Sequence, residues 1–60
     1  MVYGTEILST RLRGRVIEWR PLLRAVEIRN VYDGEVERRR YVRDRRQGLK
    51  VAKRWIKGLS

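Results

Sequence analysis

The C-terminal segment alternates apolar and basic residues at the spacing of an α-helix. With Leu49 at zero and 100° per residue, its other apolar side chains fall between about 200° and 340°. Five of its six basic side chains fall between about 40° and 140°, on the opposite side, whereas Arg45 lies on the apolar side at the first turn. The pattern predicts a two-faced helix over about 45–57, and one face of this helix can cover a sheet. The opposite face is a basic stripe that comprises Arg46, Lys50, Lys53, Arg54 and Lys57.

Capping residues mark both ends of this helix. Asp44 suits the N-cap, and Gln47 follows three residues later as in a capping box. Gly58 suits the position just after the helix, where a positive φ is favoured. Gly48 lies inside the helix and costs ~0.5–1 kcal/mol relative to alanine, unless the helix begins nearer to it.

The sequence around Asp33-Gly34 is typical of a β-hairpin. This dipeptide between alternating polar and apolar residues favours a two-residue turn in which both residues take a positive φ. It predicts strands over about 24–32 and 35–42. The apolar face of the hairpin would carry Val26, Ile28, Tyr32 and Tyr41, and the other face would carry Glu27, Arg29, Arg38 and Arg40.

The predicted turn also decides which residues face each other across the hairpin. Glu27 opposes Arg40, and the two charges can neutralise each other. Arg29 opposes Arg38, a like-charged pair that costs stability unless an anion lies between the two guanidinium groups. Arginine suits bidentate recognition of phosphate and of guanine edges. The charged face of the hairpin therefore favours an anionic ligand.

Two further strands are predicted before the hairpin. Residues 15–19 read as a strand that Pro21 ends, because proline cannot donate to a β-ladder. Residues 5–12 fit either a fourth, edge strand or a loop. The sequence thus predicts one domain, residues 1–60, of the α+β class. Its architecture is an antiparallel three- or four-stranded β-meander, capped on one face by a C-terminal amphipathic helix.

The net charge of the chain is concentrated in its last third. The 60 residues carry a formal net charge of +9 and include no histidine and no cysteine. Those absences exclude disulfides, conventional zinc sites and trypsin-like, papain-like or zinc-dependent hydrolases. Residues 1–37 carry six arginines and six acids, whereas residues 38–60 carry ten basic residues and one acid. This asymmetry indicates a polyanion or an acidic surface as the partner.

The predicted nucleic-acid-binding residues combine the charged hairpin face with the basic stripe and the residues between them. They are Arg29, Arg38, Arg40, Arg43, Arg46, Lys50, Lys53, Arg54 and Lys57. Trp55 and Tyr41 are predicted to belong to the core, whereas Trp19 and Tyr32 lie near strand ends and are assigned to neither role. No catalytic residue, metal site or cofactor is predicted. The carboxylates are dispersed among arginines, as in ion pairs, and a 60-residue domain rarely encloses a pocket.

The hairpin and the helix together resemble a known type of DNA-binding domain with a three-stranded sheet and one helix. The matching parts are strand 24–32, the Asp33-Gly34 turn, strand 35–42 and helix 44–57 with its Trp55-Ile56 pair. They look like the N-terminal domains of phage integrases and the domains of plant AP2-type factors. In that family the exposed sheet face enters the major groove and the helix braces it from behind, which implicates Arg29, Arg38 and Arg40. The chain departs from the family in its first 20 residues and in carrying its strongest basic stripe on the helix.

We expect a non-catalytic nucleic-acid-binding protein that contacts the phosphates of duplex DNA or structured RNA. One alternative is a ribosomal or ribonucleoprotein component buried against rRNA, since such proteins often insert more than one basic face between RNA helices. A rival of a different class is a small interaction module or regulator that docks on an acidic protein surface. Binding to an anionic membrane surface is disfavoured, because the apolar arc of the helix is needed to cover the sheet.

Location and assembly follow from the same sequence. The chain has neither the pattern of a signal peptide nor the ~20 apolar residues of a membrane span, so we expect an intracellular protein of the cytoplasm or nucleoid. No small-molecule substrate is expected. A chain of this length buries only ~60% of its unfolded surface. We therefore expect self-association into a homodimer or larger assembly, or strong stabilisation by the partner.

Overall fold

An antiparallel sheet and one C-terminal helix form the fold, which is seen in a computed structural model that describes residues 5–10 and 13–59. The strand order in the sheet follows the chain, so that each strand pairs with the next. The elements are β1 (Glu6–Ser9), β2 (Arg15–Arg20), β3 (Ala25–Asn30), β4 (Val36–Tyr41) and α1 (Arg45–Leu59). The predicted α+β meander with a C-terminal helix is confirmed, in its four-stranded form.

The first strand is shorter than the predicted segment. Of residues 5–12, the structure places Glu6–Ser9 in β1, paired with β2, while residues 11 and 12 lie outside the described residues. As predicted, Pro21 follows the end of β2. It opens a turn that ends at Arg24, whose φ of 51° lies in the left-handed region.

The core lies between α1 and one face of the sheet. Alternation along β2 and β3 turns Ile17 and Trp19 to the same face as Val26 and Ile28, and Ala52 and Trp55 of α1 pack on them. All of these side chains are buried, so the predicted core position of Trp55 is confirmed and Trp19 joins it. We call this face the helix side of the sheet and the opposite one the helix-free face.

The N-terminus of α1 is capped as predicted. The backbone N–H of Gln47 donates to Asp44 Oδ1 at 2.9 Å, and Gln47 Oε1 accepts from the backbone N–H of Arg43 at 2.8 Å. The predicted helix stop at Gly58 is wrong. α1 continues to Leu59, because the side chain of Leu59 packs against the core and extends the apolar arc by one more residue.

The β3–β4 hairpin has a longer turn than predicted. Residues 31–35 lie between the two strands, and they include a four-residue loop, 31–34, that is closed by Gly34 N donating to Asn30 O at 2.9 Å and Asn30 N donating to Glu35 O at 2.8 Å. The side chains of Asn30 and Asp33 accept hydrogen bonds from backbone N–H groups of the same turn. Gly34 has a φ of 75°, whereas Asp33 is not among the described residues with positive φ. The two-residue turn with two positive φ angles is therefore wrong.

The longer turn and one extra residue in β4 change the register of the hairpin. Arg29 pairs with Val36 and Ile28 pairs with Arg38, which leaves Glu37 without a direct partner, as in a β-bulge. From there on, the pairing differs by one residue from the prediction. A one-residue shift moves each side chain of a strand to the other face of the sheet. The predicted Arg29–Arg38 pair therefore does not form.

The shifted register exchanges the predicted faces of β4. Arg38 pairs with Ile28, and Arg40 pairs with Val26, so both arginines project on the helix side. Tyr41, predicted for the core, instead projects on the helix-free face and is 65% exposed. Tyr32, also assigned to the apolar face, lies in the turn and is 85% exposed.

Candidate nucleic-acid interface

The basic stripe of α1 is exposed to solvent. The apolar arc of the helix packs on the sheet, so the opposite arc, with all five basic residues, points away from it, and each of the five is exposed. Within the described residues, Arg46, Lys50, Lys53 and Arg54 have no carboxylate within 4.0 Å. Exposed helix faces gain stability from acidic residues one turn away, and this face has none.

Strand β4 extends the basic surface beside the helix. α1 packs on β1, β2 and β3, so β4 lies beside the helix rather than beneath it. Arg38 and Arg40 project from β4 on the helix side, and both are exposed. Arg43 follows β4, is exposed, and precedes the helix cap. Arg43 also lines a surface depression together with Arg46 and Lys50. The basic stripe and these three arginines therefore share one side of the molecule, which we call the helix-side basic surface.

Most of the predicted site residues lack an acidic partner. In the part of the chain that the structure describes, seven of the nine have no carboxylate within 4.0 Å. These seven are Arg38, Arg40, Arg43, Arg46, Lys50, Lys53 and Arg54. Arg29 is different: its Nε donates to Glu18 Oε1 at 3.1 Å on the helix-free face. The structure therefore does not bring Arg29 together with the other predicted residues.

The charges of the helix-free face are paired with one another. Glu27 is fully buried at the centre of this face, with Arg39 Nε 2.5 Å from its Oε2. Arg20 and Arg29 approach its Oε1 to 3.5 and 3.7 Å. The hydrogen bond to Glu27 raises the pKa of Arg39 above its ordinary value. The partner predicted for Glu27 was Arg40, but the one-residue shift puts Arg39 there instead.

This arrangement changes what the family resemblance implies. The resemblance implicates Arg29, Arg38 and Arg40 as one exposed sheet face opposite the helix. In the structure Arg29 lies on the helix-free face, and Arg38 and Arg40 lie on the helix side. The structure therefore does not place the three arginines on one face of the sheet.

A further ion pair engages Arg45, which is not part of the helix-side basic surface. Arg45, at the first turn of α1, donates from Nε to Glu6 Oε1 at 3.0 Å and from a terminal nitrogen to Glu6 Oε2 at 2.8 Å. This two-bond contact ties β1 to the helix. It lowers the pKa of Glu6 and raises the pKa of Arg45 relative to their ordinary values.

A cleft of about 470 Å³ opens between the C-terminal end of α1 and β4. We call it the α1–β4 cleft. Its apolar lining consists of Ile28, Trp55 and Leu59, and its charged lining consists of Arg13, Arg15, Glu37 and Arg38. Glu37 accepts from Arg15 Nε at 2.5 Å and from Asn30 Nδ2 at 3.2 Å, and these bonds lower its pKa. Arg38 Cζ lies 5.8 Å from the centroid of the Trp55 ring.

The cleft could not be predicted from the sequence, because its lining depends on the register of the hairpin. Arg38 lines the cleft because the extra residue in β4 turns it toward the helix side, whereas Glu37 lies on that side in the predicted register as well. Arg13 reaches it from a turn in which Arg13 and Gly14 both have positive φ, 57° and 78°. The Arg-Gly dipeptide was the one local signal of that turn.

No protein-family model, curated protein or solved structure matches the chain. Over the described residues, no helix has the length and apolar character needed to cross a membrane. The same residues contain no cluster of three or more acidic, histidine or cysteine side chains that could hold a metal ion. The function is therefore argued from the surface itself.

Proposed function

We propose that the protein binds nucleic acid without catalysis, mainly through phosphates, and that the helix-side basic surface is its interface. The observation that carries this proposal is that seven of the nine predicted site residues are exposed, have no carboxylate within 4.0 Å in the described residues, and lie on or beside that surface. Cations that lack internal partners are free to replace the counterions of a polyanion, and the release of those counterions drives binding.

The length of the basic stripe fits several phosphates. From Arg46 to Lys57 the helix rises about 16 Å at 1.5 Å per residue. Over such a length each strand of B-DNA carries about five phosphates. Lysine binds phosphate as a point charge, and the stripe contains only lysine and arginine. This composition supports backbone contact that depends little on base sequence.

The distribution of charge also bears on the choice between a single nucleic-acid interface and a ribonucleoprotein component with two basic faces. A ribonucleoprotein component held between two RNA helices would need a second basic face. On the helix-free face, however, Arg20, Arg29 and Arg39 surround the carboxylate of Glu27. This supports a single basic interface over two. Docking on an acidic protein surface uses the same cations, so the experiment must separate the two partner classes.

The test is a salt titration of binding to a labelled DNA duplex and to a folded RNA hairpin. The variant Lys50→Gln/Lys53→Gln lowers the net charge by two on the stripe. The control Leu22→Glu/Tyr41→Glu lowers it equally at exposed positions in the β2–β3 turn and on the helix-free face. Each lost phosphate contact should reduce the slope of log K against log salt by about 0.9.

We expect the stripe variant to lose about 1.8 units of slope and roughly 60-fold in affinity at about 0.1 M salt. The control should lose much less, because charges distant from the phosphates are screened beyond ~10 Å. Equal losses would mean that diffuse charge, rather than the stripe, binds. If neither nucleic acid binds at about 50 mM salt, the proposal is wrong. Equal binding to polyglutamate would favour an acidic protein as the partner.

A further inference from the structure

The α1–β4 cleft has the size and the mixed lining of a small-ligand site. Its volume of about 470 Å³ lies within the ~300–1,000 Å³ that such sites span. One part is apolar and includes the Trp55 ring, and another part presents guanidinium groups and one carboxylate. The cleft is continuous with the helix-side basic surface, because Arg38 and α1 belong to both.

The carboxylate in the lining decides which ligand chemistry fits. A free phosphate offers only acceptors and negative charge, so Glu37 would repel it. A nucleobase offers a flat ring together with both donors and acceptors on its edge. Arg15 and Asn30 each use one lone pair of a different Glu37 oxygen, and each oxygen keeps a second one. Glu37 can therefore accept from an exocyclic amine of a base, while Arg13 and Arg38 can donate.

Arg38 is held in position for stacking. Its Cζ lies 5.8 Å from the Trp55 centroid, within the range of a cation–π contact, and the residue is exposed. Arg38 also lines the cleft, where a flat ring can contact its guanidinium. Arginine planes and aromatic rings are the surfaces on which unpaired bases stack.

We propose that the α1–β4 cleft receives one unpaired nucleobase, with its ring against Arg38 and its edge on Glu37. The inference rests on the proposed function, since the same nucleic acid would place its phosphates along the basic stripe. A base inside a continuous duplex is already paired and stacked, and cannot enter. The protein therefore prefers a nucleic acid with a bulged or terminal unpaired nucleotide over a continuous duplex.

The test compares three DNA duplexes of the same sequence. One is fully paired, one carries a single unpaired nucleotide, and one carries an abasic residue at that position. We expect the unpaired nucleotide to tighten binding by about tenfold, in line with base–aromatic stacking, and the abasic duplex to bind like the paired one. A 2-aminopurine at the unpaired position should change its emission on binding, because it leaves the neighbouring bases for the cleft.

Two variants assign the preference to the cleft. Arg38→Lys keeps the charge but not the planar group, so the ratio of its affinities for the unpaired and the paired duplex should fall toward one, whatever its affinity for the paired duplex. Glu37→Gln should bind the paired duplex as well or better, since it removes a negative charge, and should discriminate less between exocyclic amines and carbonyls. Circular dichroism of both variants confirms that they are folded.

Each outcome bears on a different part of the argument. Equal affinity for the paired and unpaired duplexes overturns the cleft proposal and leaves the proposed function intact. Equal affinity for the abasic and base-containing sites shows that the protein senses a flexible backbone, which also overturns it. A preference that survives in Arg38→Lys overturns the assignment to stacking. Absence of binding to all three duplexes overturns the cleft proposal, and it overturns the proposed function as well if the folded RNA hairpin also does not bind.

Discussion

Replacing Gly48 with alanine should destabilise the fold although alanine is the better helix former. A Cβ at this position would lie 3.0 Å from two ring atoms of Trp19 and 3.0 Å from a methyl group of Val26. Both neighbours are buried in the core, so neither can move without displacing others. The helix gains up to ~1 kcal/mol from alanine, whereas overpacking costs typically ~1–3 kcal/mol. The expected net loss is about 1 kcal/mol.

The same substitution at Gly58 provides the matched control. Gly58 lies in the same helix and is exposed, and a Cβ added there would meet no atom of the described residues within 4 Å. Gly58→Ala should therefore stabilise the helix by about 0.5 kcal/mol, which is less than the full propensity difference because the position is near the helix end.

Thermal unfolding followed by far-ultraviolet circular dichroism measures both effects. For a domain of this size, 1 kcal/mol corresponds to a change in Tm of ~4–8 °C. We expect Tm to fall in Gly48→Ala and to rise slightly in Gly58→Ala. If Gly48→Ala raises Tm as much as Gly58→Ala does, α1 does not approach Trp19 as closely as described, and the orientation of the basic stripe loses its basis.

Two further predictions concern the charged groups. Glu27→Gln should lower the free energy of unfolding by about 2 kcal/mol in urea titrations, while Glu35→Gln, at an exposed position, should change it by less than ~0.5 kcal/mol. This expected loss is smaller than that for an isolated buried ion pair, because the arginine partners of Glu27 are 30–40% exposed and water can solvate them after the substitution. An unchanged free energy of unfolding would contradict the paired cluster. Glu6 and Glu37 have pKa values lowered from 4.5 by hydrogen bonds to Arg45 and Arg15, so their contribution is present above about pH 4.5 and is lost as the pH falls through the folded-state values. Stability should decline in that acid range, and the decline should be shallower in Glu6→Gln/Glu37→Gln; an identical decline would show that other carboxylates cause it.

The helix could be predicted from the sequence because its determinants are local. The apolar arc, the Asp44 cap and the basic stripe all follow from residues within a few turns of each other. Gly48 was interpreted as a weak point by the same local reasoning. Its actual role, a close approach to Trp19, depends on a residue 29 positions earlier in the chain and could not be inferred from helix propensity.

The face that each β4 side chain takes could not be predicted, because both the length of the turn and the extra residue in β4 determine it. An Asp-Gly pair fits a two-residue turn, and it also fits the end of a four-residue turn in which glycine alone takes a positive φ. The hydrogen bond from the backbone of Tyr32 to the Asn30 side chain favours the longer turn. The extra residue at Glu37 then shifts the pairing once more. The turn length and the extra residue both leave the hydrophobic pattern unchanged, because β4 is an arginine-rich strand.

The register of β4 explains how the arginines of this strand divide between the two faces of the sheet. With the predicted pairing, Arg38 and Arg40 would join Arg29 on the helix-free face, and the cations would be spread around the molecule. With the observed pairing, Arg39 alone turns to that face and binds Glu27. Among the described residues, seven exposed cations without an acidic partner then lie on or beside α1, where an external anion can relieve their mutual repulsion. One residue of register thus converts a diffuse excess of charge into a single surface suited to phosphates, with an aromatic cleft at its edge.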